Sequence, residues 1–292
     1  MKSFKSKLNN KKIIIRRKII KQFFKLTKPK EMKETSDYWP DMRYIDDILT
    51  FKGKEIKTVP INDFLSKETY SEINIIGSGP SVNDLDKSLL KDKGNIFLNG
   101  AINIATENKL PVLCLIIMDA TFVRNRFDLI RDIKEPCHLF LNLGSACAIA
   151  ERDISLLKKH KITIFKISKG NNLNFFNDEK SYFSKSLNHG IFDGGTVMSV
   201  AIQLAFHLSP KTVYLLGLDI NNSKEPRFYE TKTNKLKSGL LKDYETKILP
   251  FMILARKCYE SKKISLFNCS PISKLPYNVI KYSDIYEKAN TN

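Results

Sequence analysis

The amino-acid sequence predicts an α/β fold, a parallel sheet covered by helices on both faces, on three observations. From residue 71 onward, short runs with strand character alternate with helical stretches. The strands are apolar along their whole length, as in Val112-Leu-Cys-Leu-Ile-Ile-Met118, and a strand that is apolar on both sides has to be covered on both. Glycine and polar residues collect where the runs end: Gly77, Asn99, Asp119, Gly217, Asp219 and Asn268. Parallel sheets bind ligands outside the carboxyl ends of their strands, so these residues mark the candidate site.

The expected elements follow in order. Ile73–Ile76 is a strand, and Asp84–Leu90 reads as a helix. Asn95–Leu98, Val112–Met118, His138–Asn142 and Ile162–Phe165 are four further strands. Thr196–Leu208 is a helix of small and apolar residues, and Thr212–Leu216 is a buried strand. Tyr244–Glu260 is a long helix, followed by a last strand at Ile264–Phe267. Ahead of them, residues 31–70 form a mixed preamble with little periodicity, punctuated by Pro40 and Pro60.

Charge is unevenly distributed. The chain of 292 residues carries a net +18, and 12 of its Lys and Arg lie in residues 1–30, which hold no acidic residue; the remainder is left with +6. Within that arm Ile15, Ile19, Ile20, Phe23, Phe24 and Leu26 recur at helical spacing, with Lys18, Lys21 and Lys25 between them, and Pro29 ends the segment. A basic amphipathic helix suits an anionic membrane surface. Confinement of the charge to an arm interleaved with Ile and Phe argues against nucleic acid as the partner. No run of 18 apolar residues exists to span a bilayer, and Ile13-Ile14-Ile15 is broken at once by Arg16-Arg17-Lys18, unlike a signal peptide. The five cysteines are odd in number, lack CxxC spacing and sit mostly in apolar runs, which predicts reduced thiols in the cytoplasm and no zinc site.

Four motifs carry the candidate chemistry. Gly77-Ser78-Gly79-Pro80-Ser81 follows a strand; its glycines let the backbone approach a phosphate or nucleoside, and amides at the next helix start can face an anion. It is neither the dinucleotide GxGxxG nor a Walker loop. Asp193-Gly194-Gly195-Thr196 opens a helix, with room for a sugar or a carboxylate and with Thr196 as a cap. Gly217-Leu-Asp219 ends a strand, and Asp219 suits a sugar hydroxyl. It is not a metal-binding DxD. Ser270 and Ser273, after the last strand, are spaced to donate to phosphate oxygens. The four histidines show no ligand spacing, and no GxSxG elbow is present.

Together, Asn74-Ile-Ile-Gly-Ser-Gly-Pro-Ser-Val-Asn-Asp84, Leu98-Asn-Gly-Ala-Ile-Asn103, His189-Gly-Ile-Phe-Asp-Gly-Gly-Thr-Val-Met198, Tyr214-Leu-Leu-Gly-Leu-Asp219 and Asn268-Cys-Ser-Pro-Ile-Ser-Lys-Leu-Pro276 resemble the lipopolysaccharide core biosynthesis family of WaaZ type. Pro226-Arg-Phe-Tyr-Glu-Thr231 and Lys242-Asp-Tyr-Glu-Thr-Lys-Ile-Leu-Pro-Phe251 stand in the same register. The resemblance implies transfer of Kdo (3-deoxy-octulosonic acid) from CMP-Kdo to an inner-core acceptor, peripherally on the cytoplasmic face of the inner membrane. A more distant likeness is to the bacterial sialyltransferases that use CMP-sialic acid. It implies a Rossmann-like domain of GT-A type with a small lid, here about residues 221–245, and no metal or other cofactor. CMP would then lie against Gly77 to Ser81, Asn99, Gly217, Asp219, Ser270 and Ser273, and the donor sugar against Asp119 and Asp193 to Thr196. The sialyltransferases have a histidine base in the lid, whereas residues 221–250 of this chain contain none. Tyr229, Glu230, Tyr244 and Glu245 are the ionisable candidates, and a Glu245 with a pKa raised by burial is favoured as the base. The expected organisation is an arm (1–30), the preamble (31–70), the transferase domain (71–280) and a tail (281–292). Sialic acid transfer and a non-catalytic role in core assembly are the alternatives.

Overall fold

The computed structural model describes residues 2–27, 38–39, 41–168, 175–177, 182–221 and 225–288. Among the features expected above, Pro29, Pro40, lid positions 222–224, the end of the tail and the side chain of Lys25 lie outside the described residues.

The arm is a helix, α1 (Lys2–Thr27). The preamble, in which the sequence shows no regular pattern, folds into a three-stranded antiparallel sheet of β1 (Met42–Ile45), β2 (Ile48–Phe51) and β3 (Lys54–Ile56), followed by α2 (Ile61–Lys67). Its strands are three or four residues long, too short for an alternation to stand out.

The main sheet has seven strands, all paired in parallel: β4 (Glu72–Ile76), β5 (Gly94–Leu98), β6 (Cys114–Ile117), β7 (His138–Asn142), β8 (Lys161–Phe165), β13 (Thr212–Leu216) and β14 (Ser265–Asn268). Two minor pairs lie between β8 and β13 in sequence: β9 (Ile167–Ser168) with β12 (Ile191–Phe192), and β10 (Phe175–Asn177) with β11 (Tyr182–Ser184). The order in the main sheet is β14-β13-β4-β5-β6-β7-β8. The chain therefore runs outward from β4 to β8, then returns to lay β13 on the other side of β4. The resulting switch point lies between β4 and β13, where sheets of this type open a crevice.

Successive residues of a strand point to opposite faces, and two core layers result. Ile76, Phe97, Leu115 and Leu139 pack against α3 (Ile102–Asn108), α4 (Ala120–Asn125), α5 (Phe127–Arg131) and α6 (Leu143–Lys159). Ile75, Ile96, Ile116 and Phe140 pack against α2, α7 (Val197–Leu208) and α9 (Leu249–Ser261). This double coverage is the reason for the unbroken apolar strands.

Three features differ from expectation. Residues 80–90 form two 3₁₀ turns, Pro80–Asp84 and Lys87–Leu90, in place of a helix over Asp84–Leu90. The Ser81 amide and hydroxyl are both bound to Asp219, 2.6 and 2.5 Å away, which holds the chain in the tighter turn. α6 has no expected counterpart. Its first half, Leu143–Ala150, is buried all round and so has no polar face to reveal a helical period. The expected tail is anchored to the core through one residue. Tyr286 is fully buried, and its hydroxyl donates to Asn74 Oδ1 over 2.6 Å.

The long helix expected over 244–260 is present but irregular. A short α8 (Leu240–Asp243) leads through a π-helical stretch, Tyr244–Ile248, into α9. Pro250, in the first turn of α9, has no N–H for the carbonyl four residues earlier, which accounts for the shifted ladder. Cys114, Cys147, Cys258 and Cys269 are buried and unpaired, and burial pushes the Cys147 and Cys269 thiols up to about 12. They are packing residues.

Candidate functional site

A cavity of about 280 Å³ opens at the carboxyl ends of β4, β5, β6 and β13. Of the residues singled out by sequence, Gly77, Ser78, Gly79, Pro80, Asn99, Asp119, Gly195, Thr196, Gly217 and Asp219 line it together. They come from four separate strand ends and one helix start.

The two glycine turns are built against each other. Gly77 N donates to Leu216 O over 2.8 Å, and Gly79 N donates to Gly217 O over 3.2 Å. A Cβ on Gly79 would stand 2.5 Å from the Asp219 carboxyl and 2.7 Å from Gly217 O. Gly217 has φ +69, and a Cβ there would meet Val82 at 2.5 Å. These glycines therefore serve the close packing of two loops. The amides of Gly77, Gly79 and Ser81 are already bonded and Pro80 has none, so of the expected backbone cradle for an anion only the Ser78 amide is left outside these bonds. Asp219 is buried, with both oxygens bound to Ser81. It ties the loops together rather than standing free for a sugar hydroxyl.

At the opposite wall, Thr196 caps α7, its hydroxyl accepting from Met198 N at 3.3 Å. Gly195 N donates to Asp193 Oδ1 and Gly194 N to Ser199 Oγ, at 2.9 and 3.0 Å. Asp193 and Gly194 thus shape the turn from behind and do not line the cavity, whose α7 wall is Gly195 to Met198. The start of a 12-residue helix at this wall favours negative charge. Asn99, at φ +50, brings one distinctive group: its Oδ1 is buried with no hydrogen-bond partner among the described residues.

The third wall comes from residues 225–240, and sequence reasoning missed its charged members, Glu225, Arg227 and Lys237. Arg227 is held by Glu230, whose side chain is fully buried: Arg227 Nη1 donates to Glu230 Oε1 at 2.8 Å, and Arg126 approaches the same oxygen at 3.5 Å. Two guanidinium groups around one carboxylate leave a positive excess at the cavity edge. The signal was present in Arg227-Phe-Tyr-Glu230, where Arg precedes Glu by three residues, but only the fold shows which way the Arg faces.

The expected base does not reach the cavity. Glu245 is exposed and pairs with Lys274 at 3.2 Å, so the expected burial is absent. Tyr244 is buried on the far side, its hydroxyl donating to Lys274 O at 3.0 Å. Tyr229 packs against Gly100. Burial pushes the pKa of both tyrosines up, the wrong direction for a base. Ser270 and Ser273 also lie outside the cavity. Ser270 Oγ accepts from Leu218 N and Ser273 Oγ donates to Leu218 O, each at 2.7 Å, so together they pin the strand end that carries Asp219. His138 and His160 are neutral core groups, burial holding each down to about 4. Among the described residues, no group of three or more His, Cys, Asp and Glu stands together as a metal site.

Fold and site define a parallel α/β protein with a ligand cavity of mixed charge at its topological switch point. Residues 151–286 match the family model described as 3-deoxy-D-manno-octulosonic acid transferase WaaZ. The chain is 27% identical over 249 residues to a "Probable 3-deoxy-manno-octulosonic acid transferase" of Salmonella typhimurium, covering 75% of this chain and 88% of the relative. It is 23% identical over 247 residues to the protein of the same description in Escherichia coli, covering 76% and 86%. The resemblance carried by the sequence motifs is borne out. Among solved structures, the MAf glycosyltransferase of Magnetospirillum magneticum aligns with a TM-score of 0.48 and 16% identity, over 71% of this chain and 33% of that longer one. The sialyltransferase CstII of Campylobacter jejuni, in complex with CMP-3FNeuAc, aligns with a TM-score of 0.30 and 16% identity, over 76% and 93%. Likenesses this loose assign no role to any residue.

Proposed function

We propose that this chain transfers Kdo from CMP-Kdo to a Kdo-bearing inner-core lipopolysaccharide acceptor, with the 280 Å³ cavity as the donor site. The observation that carries the reading is the convergence of the strand-end motifs on one cavity, in a chain whose second half matches a Kdo transferase family. The donor carries a phosphodiester and a carboxylate. The start of α7, Arg227 and Lys237 supply the complementary charge, and the buried Asn99 Oδ1 suits an amino donor such as that of cytosine. Residues 225–240 would act as the lid over the bound donor.

In the reaction, the acceptor hydroxyl oxygen bonds to the anomeric carbon of Kdo. The bond from that carbon to the phosphate oxygen breaks, and CMP leaves with the electron pair. The hydroxyl proton needs a base, and Asp119 is the carboxylate we assign. It is exposed at the cavity wall. Its Oδ1 accepts from Thr121 N at 2.6 Å, and Oδ2 carries no such bond among the described residues.

Calorimetric titration with CMP, UMP and ADP tests the donor site. CMP should bind and UMP more weakly, because uracil presents a carbonyl where cytosine presents its amino group. Folded protein that binds none of the three would overturn the reading. Turnover of CMP-Kdo against CMP-sialic acid then identifies the sugar.

Membrane contact through α1 belongs to the same reading. Phe24 is buried against Tyr38, whereas Ile15, Ile19, Phe23 and Leu26 are 57, 65, 55 and 75% exposed. They follow one another at helical spacing as a single stripe. Among the described residues no helix is long and apolar enough to cross a bilayer, so the helix would lie on the surface. Ile19→Ser with Phe23→Ser should weaken binding to vesicles containing anionic lipid by about tenfold or more, from roughly 1.5–3 kcal/mol per buried apolar side chain. Vesicle binding equal to the wild type, measured by co-sedimentation, would remove the membrane role of the stripe.

A further inference from the structure

A second cleft, of about 380 Å³, lies beside the donor cavity and shares Met118 and Asp119 with it. It sits between α1 and the carboxyl ends of β6 and β7, and its walls carry Arg17, Lys18 and Lys21 from α1 and Arg124 from α4. Among the described residues of the lining, Asp119 is the only acidic one against these four cations.

The cations are held in place and are short of acceptors. Arg17 lies 3.6 Å over the Trp39 ring and donates through Nη1 to Tyr38 O at 2.7 Å. Among the described residues its buried Nη2 has no hydrogen-bond partner, and neither have Nε and Nη2 of Arg124. The nearest carboxylate to Arg124, Glu151, is 3.9 Å away, beyond hydrogen-bond distance, and burial pushes its pKa up. Buried guanidinium N–H groups that have lost water and gained no acceptor are costly, and an anion in the cleft offsets the cost. Gly144, in the first turn of α6, which runs unbroken from Leu143 only as far as a kink at Asp153, lies against the Trp39 ring at the same wall, which adds the positive end of a helix.

We propose that this cleft binds the anionic saccharide of the acceptor glycolipid, through a sugar carboxylate or phosphate, and presents its hydroxyl across the Met118–Asp119 wall to the donor cavity. The inference rests on the transferase reading above and extends it to the acceptor. Two observations favour a membrane glycolipid over a free sugar. The helix that supplies three of the cations also carries the exposed stripe of Ile15, Ile19, Phe23 and Leu26. The cleft therefore opens beside the surface on which a lipid-anchored acceptor would be embedded. The shared wall also places Asp119 where it can meet a hydroxyl entering from one side and a donor held on the other.

The test uses the full-length protein with Lys18→Gln and Lys21→Gln combined. Both lysines are exposed, so the fold is not at risk. The acceptor is deacylated inner-core saccharide, which removes membrane binding from the readout, and it is used with and without its phosphate groups. The acceptor KM should rise about tenfold, as expected for the loss of roughly 1.4 kcal/mol of charge pairing. The loss should fall on KM rather than kcat, with CMP affinity as in the wild type. A KM shift that persists without the phosphates assigns the carboxylate, and one that disappears assigns the phosphate. Lys54→Gln with Lys57→Gln, exposed and lining neither cavity, is the charge-matched control. An unmoved acceptor KM, or an equal shift in the control pair, would overturn the cleft. Wild-type protein that neither binds CMP nor transfers would take down the transferase reading with it, whereas active wild type with an unmoved KM takes down the cleft alone.

Discussion

Asp119→Asn lowers turnover of CMP-Kdo by about 10²- to 10⁴-fold, the usual contribution of a positioned general base, while CMP affinity stays close to that of the wild type. The substitution is informative because it separates two jobs of the same side chain. Asp119 is the N-cap of α4, its Oδ1 accepting from Thr121 N. Asparagine caps about as well as aspartate, so the helix and the cavity wall should survive. What asparagine cannot do is take up a proton. Single-turnover rates with saturating donor and acceptor, alongside a CMP titration of the same sample, give both quantities. Transfer within a few-fold of the wild type would remove Asp119 from the chemistry. A parallel loss of CMP affinity would instead make it a binding residue of the donor site.

Gly79→Val abolishes measurable nucleotide binding and also destabilises the fold, by about 2–3 kcal/mol in urea unfolding, because overpacked contacts of this kind cost on that order. The first Cβ atom would already stand 2.5 Å from the Asp219 carboxyl and 2.7 Å from Gly217 O. The loops must separate, and the two bonds from Ser81 to Asp219 go with them. The stability loss is the discriminating measurement. If nucleotide binding disappears at wild-type stability, the glycine is there for the approach of the ligand. If both fall together, it is there so that the ends of β4 and β13 can meet, which is what the geometry shows.

Several parts of the site were legible before any coordinates because each needs a residue type with few substitutes. A turn that packs backbone to backbone needs glycine, and the loops at 77–79 and 217 have it. A helix start needs a capping side chain, and Thr196 and Asp119 are of that type. The roles were less legible than the positions. The Gly77 to Ser81 turn reads as an anion cradle until three of its amides, those of Gly77, Gly79 and Ser81, are seen to be bonded within the protein. Ser270 and Ser273 read as phosphate donors until both are found holding Leu218. In each case the sequence shows a polar group near a strand end and is silent on whether a protein partner has already taken it.

The choice of base is the clearest separation. Glu245 and Asp119 are both carboxylates beside candidate motifs, and nothing local tells them apart. A π-helical turn ahead of Pro250 leaves Glu245 exposed beside Lys274, and the end of β6 puts Asp119 between two cavities. The basic arm has the same history: its composition announces an anionic partner, and only its docking through Arg17 on Trp39 turns one side of it into the wall of a cleft. By itself the sequence determined the parallel sheet, the strand order along the chain and the ends at which a ligand must sit, because hydrophobic period and glycine placement are local properties. The tertiary structure alone decided which polar groups are already satisfied and which still face open space, because hydrogen-bond partners here lie up to 212 residues apart in the chain.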